Sequence, residues 1–184
     1  MKSLKTKQFD CLTKKQTRAW FCWLKYTRKK YEIGFKYQWT NEDIDVPLME
    51  KLIAAAQPLS VTCHRAFDVC RDPFKALEEL ISLGCDRILT SGQQSNAVKG
   101  IPLIKQLVEK SAGRIIIMPG CGIRENNIGQ IEKETGAKEF HTSARSIVYS
   151  QMAYRNENVP MGSSAVLSEF ETEQTDREKV KRML

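Results

Sequence analysis

From residue 47 onward the chain changes between two periodicities at a regular pitch, and this alternation constrains the fold more than any other feature. P-L-M-E-K-L-I-A-A-A (47–56) has helical spacing, with Pro47 suited to a first turn. L-S-V-T-C-H-R-A-F (59–67) reads as a strand. D-P-F-K-A-L-E-E-L-I-S-L-G (72–84) carries every helix signal: Asp72 to cap, Pro73 for the first turn, a stripe of Phe74, Leu77, Leu80 and Ile81, and Gly84 to stop. A strand at 86–92, a helix at 101–112, a strand at 114–120, a helix at 124–135 and a strand at 138–145 follow, with a last helix at 175–183. A weaker strand pattern, Y-E-I-G-F-K-Y, precedes them at 31–37.

Strands separated by helices at about 26 residues predict βαβ units and a parallel sheet of the α/β class. That pitch is the pitch of a (β/α)₈ barrel, which takes roughly 250 residues for eight units. With four clear strands and one weak one in 184 residues, the chain predicts only part of a barrel.

Charge divides the chain. Residues 1–30 hold ten Lys and Arg against one acid, a net +9, while the remainder holds 19 bases and 21 acids, a net −2. The basic balance is therefore a property of one end, and it does not argue for a nucleic-acid surface across the domain. Residues 1–40 read as a divergent basic and aromatic segment outside the core, and residues 41–184 as the barrel-like part. The apolar run A-W-F-C-W-L ends at Lys25, too short for a signal-peptide core, and nothing approaches the ~20 apolar residues of a membrane span. The six cysteines show no C-x-x-C spacing. Free thiols suit a reducing compartment, so the expected location is the cytoplasm, with the nucleus open.

Only two histidines occur, in V-T-C-H-R-A-F-D (61–68) and E-F-H-T-S-A-R (139–145). Strand alternation puts Leu59, Val61 and Cys63 on one face and Ser60, Thr62 and His64 on the other. In a barrel the apolar face packs on the helices, so His64 is expected inside. By the same alternation Glu139, His141 and Ser143 point inward, opposite Phe140. His64, Glu139 and His141 are thus candidate acid/base groups near the carboxyl ends of the strands; the alternative is a set of hydrogen-bonded core groups. Arg65 and Arg145 are candidate anion binders, the alternative being ion pairs with local acids such as Asp68. The turns T-S-G and P-G-C-G add Ser91, Gly92, Gly120 and Gly122, with Ser143 beside them, as places where backbone approaches an anionic ligand ahead of a helix beginning near Arg124.

V-T-C-H-R-A-F-D, L-T-S-G, G-R-I-I-I-M-P-G-C-G and E-F-H-T-S-A-R, with D-I-D-V-P-L-M-E-K-L before them, resemble the CutC family of copper homeostasis proteins over residues 42 to about 170. The resemblance implies a TIM barrel of which this chain carries strands five to eight. It implies copper, as Cu(I), for the ligand, with cytosolic copper handling as the function. It names no metal ligands in this chain. Cys63, Cys70 and Cys85 read as buried structural thiols, and Cys121 stands where the family usually has glycine. Two alternatives remain open: a barrel enzyme acting on a small anionic or phosphorylated substrate, and a truncated homologue without activity. Open sheet edges predict a homo-oligomer.

Overall fold

The computed structural model describes residues 23–27, 30–35, 39–40, 43–154, 156 and 170–184. Two strands come first, β1 (Trp23–Thr27) and β2 (Lys30–Phe35), followed by the short β3 (Trp39–Thr40) and β4 (Asp43–Ile44). Helix α1 (Val46–Ala56) is capped by Asp45, whose carboxylate accepts from the Leu48 amide at 3.1 Å, with Pro47 in the first turn. Strand β5 (Ser60–Cys63) runs into a 3₁₀ turn at Arg65–Val69. Helix α2 (Pro73–Ser82) is capped by Asp72, which accepts from the Phe74 and Lys75 amides at 2.9 and 3.0 Å. Then come β6 (Arg87–Thr90), α3 (Ile101–Ser111), β7 (Ile116–Pro119) and α4 (Ile128–Thr135), which stops at left-handed Gly136. A ribbon of β8 (Arg145–Tyr149) and β9 (Glu171–Thr175) and a helix, α5 (Arg177–Arg182), complete the described residues.

The main sheet has the order β1-β2-β5-β6-β7. Strands β2, β5, β6 and β7 are parallel and β1 lies antiparallel at the edge. The architecture is mixed α/β, as the alternation predicts. The weak strand at 31–37 is present as β2, paired with β5 from Glu32↔Ser60 to Phe35↔Cys63. Strands β1 and β2, from the segment read in the sequence as divergent, pair into this sheet.

One side of the sheet packs on the helices. Val61, Cys63, Ile88 and Ile117 join Leu77, Leu80, Ile104, Leu107 and Ile131 in a single buried cluster. Burying each such side chain contributes about 1.5–3 kcal/mol. The opposite face carries Ser60, Thr62, Arg87, Leu89 and Met118, which alternate with the cluster residues along their strands.

The largest correction concerns 138–145. Residues 138–144 form no strand: the backbone makes one parallel bridge, Gly120↔His141, with the His141 amide donating to the Pro119 carbonyl at 2.9 Å. The Thr142 hydroxyl then bonds the Ile123 carbonyl at 3.0 Å and accepts from the Ala144 amide at 3.2 Å, while Ala144 turns left-handed at φ 43°. These local bonds draw the backbone out of the ladder. Extended structure resumes in β8, antiparallel to β9 rather than parallel to β7.

Candidate functional site

His64 sits where β5 ends, as the residue that caps the 3₁₀ turn, and its carbonyl accepts from the Phe67 amide at 3.1 Å. His141 is fixed at the end of β7 by its bridge to Gly120. The two imidazoles meet, with ring centroids 6.4 Å apart and planes at 76°. Gly120 permits the approach, because a Cβ there would run into the Leu89 methyl and lie 3.3 Å from the His141 Cβ. Its role is close packing of the strand end against His141.

Arg65 follows His64 and turns to Asp68. Its Nε donates to Asp68 Oδ2 at 2.7 Å and its Nη2 to Ser91 Oγ at 2.9 Å. Partial burial works against the guanidinium's charge, but bonds with Asp68 and Cys121 outweigh it and hold Arg65 charged. Asp68 also accepts from the Thr90 hydroxyl at 2.5 Å, the Ser91 amide at 3.0 Å, the Ser91 hydroxyl at 3.0 Å and the Gln93 amide at 3.2 Å. One carboxylate therefore ties the end of β5 to the loop after β6. In the sequence Asp68 stands out only as a possible partner of Arg65; the available signal is an acid placed just after a strand end, opposite a T-S-G turn.

Glu139 is brought to Arg87 instead of the imidazoles. Arg87 Nε and Nη2 donate to its two oxygens at 2.6 and 3.3 Å, and Nη1 donates to Ser60 Oγ at 2.9 Å. This bidentate pair pins the segment two residues before His141 onto the starts of β5 and β6. Ser91 is fully buried, with its hydroxyl donating to the Gln94 carbonyl at 2.6 Å as well as to Asp68. Ser143 is exposed, and Arg145 belongs to the ribbon, paired with Glu173 at 2.5 Å. In the P-G-C-G turn Cys121 and Gly122 are both left-handed, at φ 74° and 77°. The turn packs on the loop after β6, where the Ala97 amide donates to the Cys121 carbonyl at 3.0 Å. Helix α4 starts at Ile128 rather than near Arg124, because Asn127 takes the Arg124 amide at 2.8 Å. The helix N-terminus therefore lies well past the turn.

Burial pushes the Cys63 thiol well up, Cys85 up to about 12 and Cys70 up to about 11. All three stay protonated at neutral pH. Cys121 is half-buried. A thiol-specific reagent at pH 7 is expected to label Cys121 at least tenfold faster than Cys63, Cys70 or Cys85 in the native chain, and all four alike in urea, read by peptide mass spectrometry. Comparable native rates would contradict this burial pattern. Among the described residues no group of three or more His, Cys, Asp or Glu side chains is placed to hold a metal ion. No described helix is long and apolar enough to cross a membrane.

Residues 31–146 match the family model of the CutC family. A CutC family protein of Parabacteroides distasonis is 84% identical over 139 residues, which is 76% of this chain and 57% of that protein. The copper homeostasis protein cutC homolog of Homo sapiens is 49% identical over 140 residues, 76% of this chain and 51% of that one. A solved structure of a copper homeostasis protein CutC from Streptococcus agalactiae superposes with a TM-score of 0.56 at 37% identity, covering 59% of this chain and 53% of that chain. The chain spans about half the length of the curated relatives it matches.

Proposed function

The chain belongs to the CutC family, and on that premise we propose that it takes part in copper homeostasis by handling Cu(I) in the cytosol. Its four parallel strands are read as strands of the family barrel, extending toward the half-barrel of strands five to eight. The observation that carries the copper reading is the convergence of the chain's two imidazoles at 6.4 Å at the carboxyl ends of β5 and β7. Barrel folds place their ligand sites at that end, and imidazole is a ligand suited to copper. The thiols that would make a tight Cu(I) site are protonated and buried in the helix-facing core.

The expected result is a single, weak Cu(I) site. Titration under reducing, anaerobic conditions, against a colorimetric Cu(I) chelator, is expected to show one equivalent withdrawn by the protein and returned by a modest excess of chelator. A chain that withdraws no Cu(I) from even a weak chelator would overturn the copper reading.

A further inference from the structure

We infer that the β8–β9 ribbon is a docking surface for a second copy of this chain, which adds its own β8 antiparallel to β8 about a two-fold axis at Ile147. The copper reading neither supports this contact nor depends on it. The ribbon turns a run of large apolar side chains to water: Ile147 is 51% exposed, Val148 40% and Tyr149 65%, with Met152 and Tyr154 exposed just beyond them. A two-stranded ribbon is marginal in water, and further strands stabilise it. Among the described residues β8 and β9 pair only with each other.

Register shows which backbone groups face outward. The Ser150 amide donates to the Phe170 carbonyl at 2.6 Å and the Asp176 amide to the Ala144 carbonyl at 2.8 Å. By alternation the even positions of β8 bond β9, so Arg145, Ile147 and Tyr149 turn their amides and carbonyls the other way. On β9 the corresponding outward positions are Glu171, Glu173 and Thr175.

Charge and closure select the edge. Two β9 edges paired about Glu173 would set Glu173 opposite Glu173, and like charges directly opposite are destabilising. A β8 edge laid on the β9 edge of another copy leaves a fresh edge at each end and does not close. Two β8 edges paired about Ile147 close as a two-fold. Ile147 then meets Ile147, and Arg145 meets the second copy's Tyr149, which Glu171 flanks on its own ribbon. Each guanidinium gains an aromatic face and, one strand further, a carboxylate. The Arg145 carbonyl accepts from Lys179 Nζ at 2.7 Å and keeps a second lone pair for the Tyr149 amide of the second copy. An edge of five residues makes a small interface, so the dimer belongs to the weak, reversible class.

Sedimentation velocity of the full chain, with protein raised through the micromolar range, tests the contact together with amide hydrogen exchange. A reversible shift from monomer that stops at dimer is expected. The Ile147 and Tyr149 amides are expected to gain protection as concentration rises, while the Val148 amide, which faces β9, does not change. Ile147→Pro removes an outward N–H without touching a bond to β9 and is expected to weaken the dimer at least tenfold. Ile147→Lys is expected to do the same by repulsion across the axis, and Ile147→Val to stay within threefold. The exchange measurement needs no variant, so a variant that folds poorly does not remove the test. A monomer at every concentration overturns the proposal, as do oligomers that grow past dimer. A dimer with unchanged protection at Ile147 and Tyr149, or one at full strength in Ile147→Lys, also overturns it.

Discussion

Gly100→Ala is expected to destabilise the chain by about 3 kcal/mol or more, the severe end of overpacking. A Cβ at residue 100 would clash with the Ser91 carbonyl oxygen and lie 2.7 Å from the Ser91 carbonyl carbon and 2.9 Å from the Gly92 Cα. All three are backbone atoms, so no side chain can swing aside. Gly92 faces Gly100 across the same contact, and its own φ of 68° would strain any other residue. Two glycines in contact let the loop after β6 double back onto the start of α3. That loop carries the Ser91 and Gln93 amides that hold Asp68. A folded domain has only about 5–15 kcal/mol in hand, so the variant is expected to show a sharply lowered urea midpoint or no cooperative transition. Gly129→Ala supplies the contrast. A Cβ there meets nothing within 4 Å, the residue is helical, and a gain of about 0.5–1 kcal/mol is expected. Equal urea midpoints for the two variants would show that the Gly92–Gly100 contact is not as close as described.

The parts of the fold that were legible in the sequence are those where one physical cause acts alone. Helix α2 was readable because Asp72, Pro73 and the Leu77–Leu80 stripe agree with one another. The facing of β5 was readable because a two-residue period admits only two answers, and Val61 and Cys63 take the helix side. Where local and distant forces compete, the pattern misleads. E-F-H-T-S-A-R alternates like a strand, yet the Thr142 hydroxyl and left-handed Ala144 end the pairing after one bridge. Alanine gives no warning of a positive φ. The β8–β9 ribbon was hidden for a different reason: E-T-E-Q-T is polar on both faces, so its register depends on cross-strand partners such as Arg145 and Glu173. At the site, the pairing of two histidines could be argued from alternation, but the reach of Arg87 to Glu139 could not. Fifty-two positions separate the two, and only the assembled sheet joins them.

Asp68→Ala is expected to cost about 3 kcal/mol, the upper end for leaving buried donors without their acceptor. The Asp68 carboxylate is only 6% exposed and accepts from two amides, two hydroxyls and a guanidinium. Removing it leaves a charge on Arg65 without its partner and strands the Thr90 hydroxyl, on a residue with no exposed surface. Asp68→Asn is expected to fall between wild type and alanine. It keeps one carbonyl acceptor but turns an NH₂ toward groups that are themselves donors, and it gives up the charge that Arg65 pairs with. The effect is local before it is global. The Ser91 and Gln93 amides are expected to exchange with solvent at least tenfold faster in Asp68→Ala, while amides within α3 keep their protection until the whole chain opens. Urea unfolding with amide hydrogen exchange measures both. A variant within about 1 kcal/mol of wild type, with Ser91 and Gln93 still protected, would mean the loop after β6 is held by Gly92 and Gly100 alone. The predicted outcome instead makes Asp68 the tie between β5 and β6. Through Arg65, it is then also the group that fixes the position of His64, one residue before it, against His141.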